Sequence, residues 1–168
     1  MKKGIIYIVF VFLAAVIPNR TVLGETSYPG PTLNVTAIVD PCINITLSTD
    51  AIIFNCKGAP GLYDANEPVV LTVGSNCGDW SVKCVATPLE GSKGEIPPER
   101  IFVKTPNSPN IDKGAGNGFE PMSGERNVLT GNPTERKEAR MEFKLKTTWE
   151  DKAGTYTGRI DYTYLATP

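Results

Sequence analysis

The clearest pattern in the chain is a period-two alternation over its last thirty residues. Met141, Phe143 and Leu145 alternate with Arg140, Glu142, Lys144 and Lys146. Tyr156, Ile160, Tyr162 and Tyr164 then alternate with Thr155, Thr157, Arg159, Asp161 and Thr163. Alternation of this kind predicts strands with one buried and one wet face. The polar stretch Glu150-Asp151-Lys152-Ala153 reads as a turn, so Arg140 to Pro168 is expected to be a β-hairpin. In that register Phe143 faces Ile160 and Met141 faces Tyr162, which puts both apolar rows on one side. Gly158 in mid-strand is expected to leave room for a large neighbour.

The same pattern recurs upstream. Leu33, Val35, Ala37 and Val39 alternate with Asn34, Thr36 and Ile38, and Asp40-Pro41 ends the run. This is expected to be a strand, either the domain's own first or one that leaves to complete a neighbour. Ile43–Leu47 and Ile52–Cys56 flank a turn-like tetrad and predict a hairpin with Cys42 opposite Cys56. Val69, Leu71 and Val73 begin another strand. Trp80, Val82, Cys84 and Ala86 form one row of the next, with Trp80 as a core anchor. Ile101–Val103 is a short strand, and Thr105 to Arg136, rich in Asn, Pro and Gly, is expected to be the least ordered connection, with room for short strands such as one around Asn127-Val128-Leu129-Thr130. About eight strands with no amphipathic helix predict an all-β, Ig-like antiparallel β-sandwich.

The N-terminus changes the compartment. Met1-Lys2-Lys3 precedes an apolar run from Ile5 to Ile17, followed by Pro18 and the approach Val22-Leu23-Gly24. A basic start, an apolar run of about a dozen residues and a small final residue mark a secretory signal peptide. An uncleaved anchor is the other reading, although a membrane span needs about 20 residues. The expected organisation is a signal peptide over 1–24 and a single sandwich domain over 25–168, secreted or at the cell surface, with no membrane span once the leader is cleaved. The whole chain carries a net charge of −1, and losing Lys2, Lys3 and Arg20 makes the remainder more acidic. No long basic stripe is present, so nucleic acid is not an expected partner.

Cys42, Cys56, Cys77 and Cys84 all lie in the exported part, and an even count there predicts two disulfides. Cys42–Cys56 with Cys77–Cys84 is one pairing; Cys42–Cys77 with Cys56–Cys84 is its rival. A zinc site would want a close Cys-x-x-Cys pair or histidine, and the chain has 0 histidines. Without histidine there is no Ser/His or Cys/His catalytic pair. Asp112, Glu120 and Glu125 could supply carboxylates for glycoside hydrolysis, but solvated loop charges are the simpler reading. Asn110–Asn117 lacks the ordered acidic ladder of a calcium loop. The expectation is therefore no catalytic residue, no metal, no cofactor and no enzyme. Asn34 and Asn44 begin acceptor triplets for glycosylation.

Pro41-Cys42-Ile43-Asn44 followed by Ile52-Ile53-Phe54 resembles the opening of bacterial pilin and spore-coat-protein-U-type domains. Ala153-Gly154-Thr155-Tyr156-Thr157-Gly158-Arg159-Ile160-Asp161-Tyr162-Thr163-Tyr164 resembles their closing strand. The resemblance implies a secreted Ig-like sandwich that often assembles by strand exchange. The leading expectation is a non-enzymatic surface or fimbria-like subunit that associates with itself or with other surface subunits. Leu33, Val35, Ala37 and Val39 form its candidate assembly strand. The alternative is an adhesin-like module for a glycan or host protein, using the 105–136 loop or the aromatics Tyr63 and Trp149.

Overall fold

The structure is a computed structural model that describes residues 31–166; the side chains of Thr134 and Glu135 are outside the description. The leader expected over residues 1–24 lies outside the described residues. The chain divides into two units at Ala37/Ile38. Of the first, residues 31–37 carry no secondary structure and are exposed throughout.

The second unit holds twelve strands: β1 (Ile43–Leu47), β2 (Leu62–Asp64), β3 (Val69–Ser75), β4 (Trp80–Ala86), β5 (Leu89–Gly91), β6 (Gly94–Ile96), β7 (Ile101–Lys104), β8 (Glu120–Pro121), β9 (Arg126–Gly131), β10 (Thr134–Lys146), β11 (Tyr156–Thr157) and β12 (Ile160–Ala166). One 3-10 turn, Pro98–Arg100, precedes β7. Every named strand pair is antiparallel. Sheet one runs β1-β3-β10-β7-β8, with β2 also on β10; sheet two runs β12-β4-β9, and β11-β5-β6 forms a small third sheet. The all-β antiparallel sandwich expected from the alternation is what forms.

The alternation explains the core. In β3, Val69, Leu71 and Val73 point inward; in β10, Ala139, Met141, Phe143 and Leu145 do the same. From sheet two, Trp80, Val82, Cys84 and Ala86 of β4 meet them, joined by Val128 and Leu129 of β9. Trp80 is the core anchor that its row suggests: it is buried, stacks on Tyr164 at 5.9 Å and donates its indole N–H to the Asn132 carbonyl at 2.7 Å. Gly158 also plays its expected part, since a Cβ there would come within 2.7 Å of the Leu89 side chain.

The expected C-terminal hairpin does not form. β10 pairs with β2, β3 and β7, while β12 pairs with β4 in the other sheet. Residues 147–155 carry the chain across the end of the sandwich instead of turning it back beside itself. Met141 and Tyr162 do meet, but across the core: the Tyr162 hydroxyl donates to Met141 Sδ at 3.7 Å. Facing apolar rows satisfy the same alternation whether strands lie side by side or face to face.

Three further expectations are corrected. Ile43–Leu47 pairs with β3, with Ile43 opposite Ser75, so Cys42 lies beside Asn76 and not opposite Cys56. The 105–136 stretch is more ordered than expected: besides β9, which includes the short strand expected around Asn127–Thr130, it contains β8 and the start of β10. Its Ala115 and Phe119 pack on Phe102 as a small second cluster, and the ammonium of Lys144 lies 4.5 Å from the Phe119 ring centre. Leu33–Val39 carries no secondary structure; Leu33, Val35, Ile38 and Val39 are each at least 79% exposed.

Candidate assembly groove

The two sheets close differently at their two sides. On one side, β8 and β9 are the edges. β8 ends in Pro121, which has no N–H to offer a further strand. Its carbonyl is taken by the Arg126 guanidinium at 3.1 and 2.7 Å, and Met122 beside it is fully buried. In β9 the register slips, since Val82 faces Leu129 but Lys83 faces Asn127. Val128 is thus an extra residue, and both it and Leu129 turn inward. A proline and a bulge are two ways by which edges are blunted against further pairing.

On the other side, the edges are β1 and β12. β12 pairs with β4 over seven consecutive residues without a slip. β1 pairs with β3 over five, also without a slip. Neither has a partner strand on its outer edge among the described residues. Ile160, Tyr162 and Tyr164 face inward from β12, yet each remains only half-buried. Ile43, Ile45 and Leu47 of β1 are 38–45% exposed.

Between the Leu47 end of β1 and the Ile160–Tyr162 part of β12 lies a groove of about 970 Å³ that reaches into the core. Leu47, Ile52 and Phe54 line one wall and Ile160, Tyr162 and Tyr156 the other, with Phe143 and Leu145 among its core residues. Ile52–Phe54 is held by Asn66, whose N–H donates to the Ile53 carbonyl at 2.9 Å while its Oδ1 accepts from the Ile53 N–H at 2.7 Å. Near the C-terminal end of β12, the Tyr164 and Ser75 hydroxyls share a hydrogen bond of 2.7 Å between the sheets. At the other end the crossing 147–153 borders the opening. That crossing is pinned: Arg100 grips Asp151 with two bonds of 2.8 and 2.7 Å and bonds the Thr148 hydroxyl at 3.1 Å. Those bonds from Arg100 hold the Asp151 carboxyl below its ordinary pKa. Desolvation pushes the Tyr162 hydroxyl well above its ordinary range, with the neighbouring Cys84 adding to the shift.

The two disulfides expected from the even count do not form: Cys42, Cys56, Cys77 and Cys84 are all free thiols in this structure. The Cys42 N–H donates to Asn76 Oδ1 at 2.6 Å and its carbonyl accepts from the Asn76 N–H at 3.2 Å. The β1–β3 register therefore puts Cys42 and Cys77 in neighbouring positions. Cys84 points into the core, and burial pushes its thiol up to about 11. Cys56 borders the groove, and burial, then the charge of Asp151, raises its thiol.

The other singled-out residues are scattered. Asn34 and Asn44 are exposed. Asp112 caps its own loop, accepting the N–H groups of Gly114 and Gly116 at 2.8 and 3.0 Å; the Gly114 bond is the main reason its carboxyl is held low. Glu120 pairs with Lys113, and Glu125 with Lys83 at 2.9 Å. The Tyr63 hydroxyl donates to loop carbonyls of Lys57 and Ala59. Trp149, the other aromatic named for a binding module, is 86% exposed. No group of three or more metal-ligating side chains comes together among the described residues. The alternation in the sequence marks Leu33–Val39 as a candidate assembly strand and gives no sign of the groove.

No family model matches the chain, and no curated protein does either. Among solved structures, the chain is similar to one described in a study of glycolipid glycan hydrolysis by a family 123 glycoside hydrolase from Clostridium perfringens. The identity is 15% and the TM-score 0.43; the likeness covers 75% of this chain and only 25% of that one. The chain thus spans about a quarter of that protein's length. This finding corrects the expectation that the chain is no enzyme. The exclusion rested on missing histidine and on reading Asp112, Glu120 and Glu125 as solvated loop charges, and glycoside hydrolysis runs on paired carboxylates without histidine. At this TM-score the likeness assigns no activity to the present chain.

Proposed function

We propose that the chain is an exported surface subunit that assembles by β-strand addition, the groove of one copy receiving residues Leu33–Val39 of another. One observation carries the reading: the two regular, unblunted edges lie on the same side of the sandwich and flank a groove open to the core, while the other two edges are blunted.

The physical fit is specific. The candidate strand and β12 are each seven residues long, a span of about 23 Å at roughly 3.3 Å per residue. The outer edge of β12 offers backbone N–H and C=O groups that an added strand satisfies. Alternation puts Leu33, Val35, Ala37 and Val39 on one face, toward the groove, and Asn34, Thr36 and Ile38 on the other. Burying each larger side chain contributes about 1.5–3 kcal/mol. In the single copy, Leu33 is 85% exposed and Val35 83%, so both have that burial to gain. The leader-like start of the sequence supports export, and the opening and closing motifs resemble pilin and spore-coat-protein-U-type domains.

The test is light scattering of the purified protein over a concentration series, beside a Val35→Asp variant. Polymers that grow with concentration and vanish in the variant, with an unchanged Tm for the sandwich, are the expected result. Equal polymers in both proteins would overturn the proposal.

A further inference from the structure

We infer that Trp149 is a contact residue of the junction between copies, where its indole packs on the Asp40–Cys42 segment of the incoming chain as that chain leaves the groove. The inference rests on the strand-addition reading and adds a second surface to it.

Trp149 is 86% exposed, against 3% for Trp80, the other of the chain's two tryptophans. Such a ring on a mobile loop would say little. This one stands on a turn held by the two Arg100–Asp151 bonds. The Thr148 N–H donates to Asp151 Oδ2 at 2.7 Å, and the Asp151 N–H to the Thr148 carbonyl at 3.3 Å. Thr147 closes the base of the turn on Gly61 through its N–H at 2.8 Å. The two residues between Thr148 and Asp151 are therefore presented from a fixed frame. An exposed aromatic on a fixed frame loses little conformational entropy on docking, which is how aromatic anchors work at interfaces.

Strand direction then says what comes near it. Ser75, opposite Ile43, lies by Tyr164, so the C-terminal end of β12 is the end where β1 begins. An added strand that pairs antiparallel with β12, as every named pair in this fold does, runs from the Tyr164 end toward the Ile160 end. With its Val39 opposite Ile160, its Val35 lies opposite Tyr164 and its Leu33 opposite Ala166. Thr147, Thr148, Asp151 and Lys152 border the groove at that second end. The incoming chain thus emerges beside the Trp149 turn with Asp40, Pro41 and Cys42 next in line. Pro41 supplies an apolar ring for the indole to cover, and Val39 and Ile38 before it are 79% and 88% exposed in the single copy.

The experiment is iodide quenching of tryptophan fluorescence in the purified protein, read alongside light scattering over the same concentrations. Trp80 is shielded and Trp149 is open, so quenching of the single copy reports on Trp149 alone, and Trp149→Phe removes the quenchable signal. The expected result is that the quenchable fraction falls in step with polymer mass. Trp149→Ala should raise the concentration needed for assembly about tenfold, as truncation of an aromatic contact residue at an interface does, with the Tm of the single copy unchanged. Polymers whose Trp149 is quenched as freely as in the single copy would overturn the inference and leave strand addition standing. Absence of polymers at every concentration, or polymers indifferent to Val35→Asp, would strike strand addition itself and take the inference with it.

Discussion

The β8/β9 side and the β1/β12 side of this sandwich solve the same problem in opposite ways. Both are places where two sheets end and a core must be kept from water. At β8/β9, Pro121 removes a donor, Val128 bulges inward, Met122 fills the corner and Arg126 takes up the Pro121 carbonyl. At β1/β12, both strands keep regular ladders, their inward rows are only partly covered, and a groove of about 970 Å³ remains. Edge strands of that second kind invite pairing. This contrast, one side closed by two separate devices and the other left regular, is what the strand-addition proposal rests on.

The largest expected effect breaks or sharpens this contrast directly. Met122→Ala removes a fully buried side chain from the closed corner and should cost about 2–5 kcal/mol of stability. Ile160→Ala, on the open side, acts on a half-buried residue and should cost about half as much or less in the single copy. Denaturant unfolding of both variants is the measurement. Equal losses would mean that the open side is packed as tightly as the closed one, and the contrast would fall.

Next in size is the frame at the end of the groove. Arg100→Ala leaves the Asp151 carboxylate without its two charged hydrogen bonds and should cost about 1.5–3 kcal/mol. Because Arg100 lowers the Asp151 pKa in the folded state, the pair's contribution is present above the ordinary carboxylate range near pH 4. It is lost as pH falls through the lowered folded value. Thermal melts from pH 7 down to pH 2 should therefore show a steeper acid loss in the parent than in Arg100→Ala. Parallel curves would show that the pair contributes nothing to holding the crossing.

A smaller effect separates the thiols. Cys84 lies in the core with its thiol pushed up to about 11, while Cys42 and Cys56 are exposed. A raised folded pKa gives stability that is intact below the ordinary thiol value near 8.5 and is lost as pH rises through about 11. Near neutrality the visible consequence is kinetic. An alkylating reagent should label Cys42 and Cys56 in the folded protein and reach Cys84 only on unfolding, as peptide mass spectrometry would show. Early labelling of Cys84 would mean that the groove opens the core to solvent far more than its half-buried walls imply.

Much of this was legible in the sequence, and what was not has physical causes. The rows of β3, β4, β10 and β12 follow from alternation, and with them the sandwich, the place of Trp80 and the room at Gly158. Alternation fixes which face is buried but not which strand lies alongside, so β10 and β12 looked like a hairpin although they belong to different sheets. β9 showed only as a short segment around Asn127-Val128-Leu129-Thr130, because the inward bulge at Val128-Leu129 breaks the period of two at the place where the edge is blunted. The groove could not be read at all, since it is the absence of a neighbour. Its trace in the sequence was indirect: Leu33–Val39 alternates like a strand, yet Asp40-Pro41 separates it from the domain it would have joined.

The smallest expected effect is a control on both sides at once. Lys83–Glu125 lies on sheet two toward the closed side, with side chains 35% and 60% exposed; Arg159–Asp161 lies at the open edge, 75% and 50% exposed. Water and salt screen such pairs, and holding two long side chains together costs entropy that offsets most of the attraction. Lys83→Ala and Arg159→Ala should each change stability by less than about 1 kcal/mol, and by less still at high salt. The Arg159 variant carries the sharper information. Asp161 lies next to Ile160 on the strand proposed to receive the partner, so the variant should match its parent in the single copy. Any change it brings should appear in assembly measured by light scattering at low salt. A large loss of single-copy stability from Arg159→Ala would mean that the β12 edge is already held by side-chain pairing and does not stand ready for a strand.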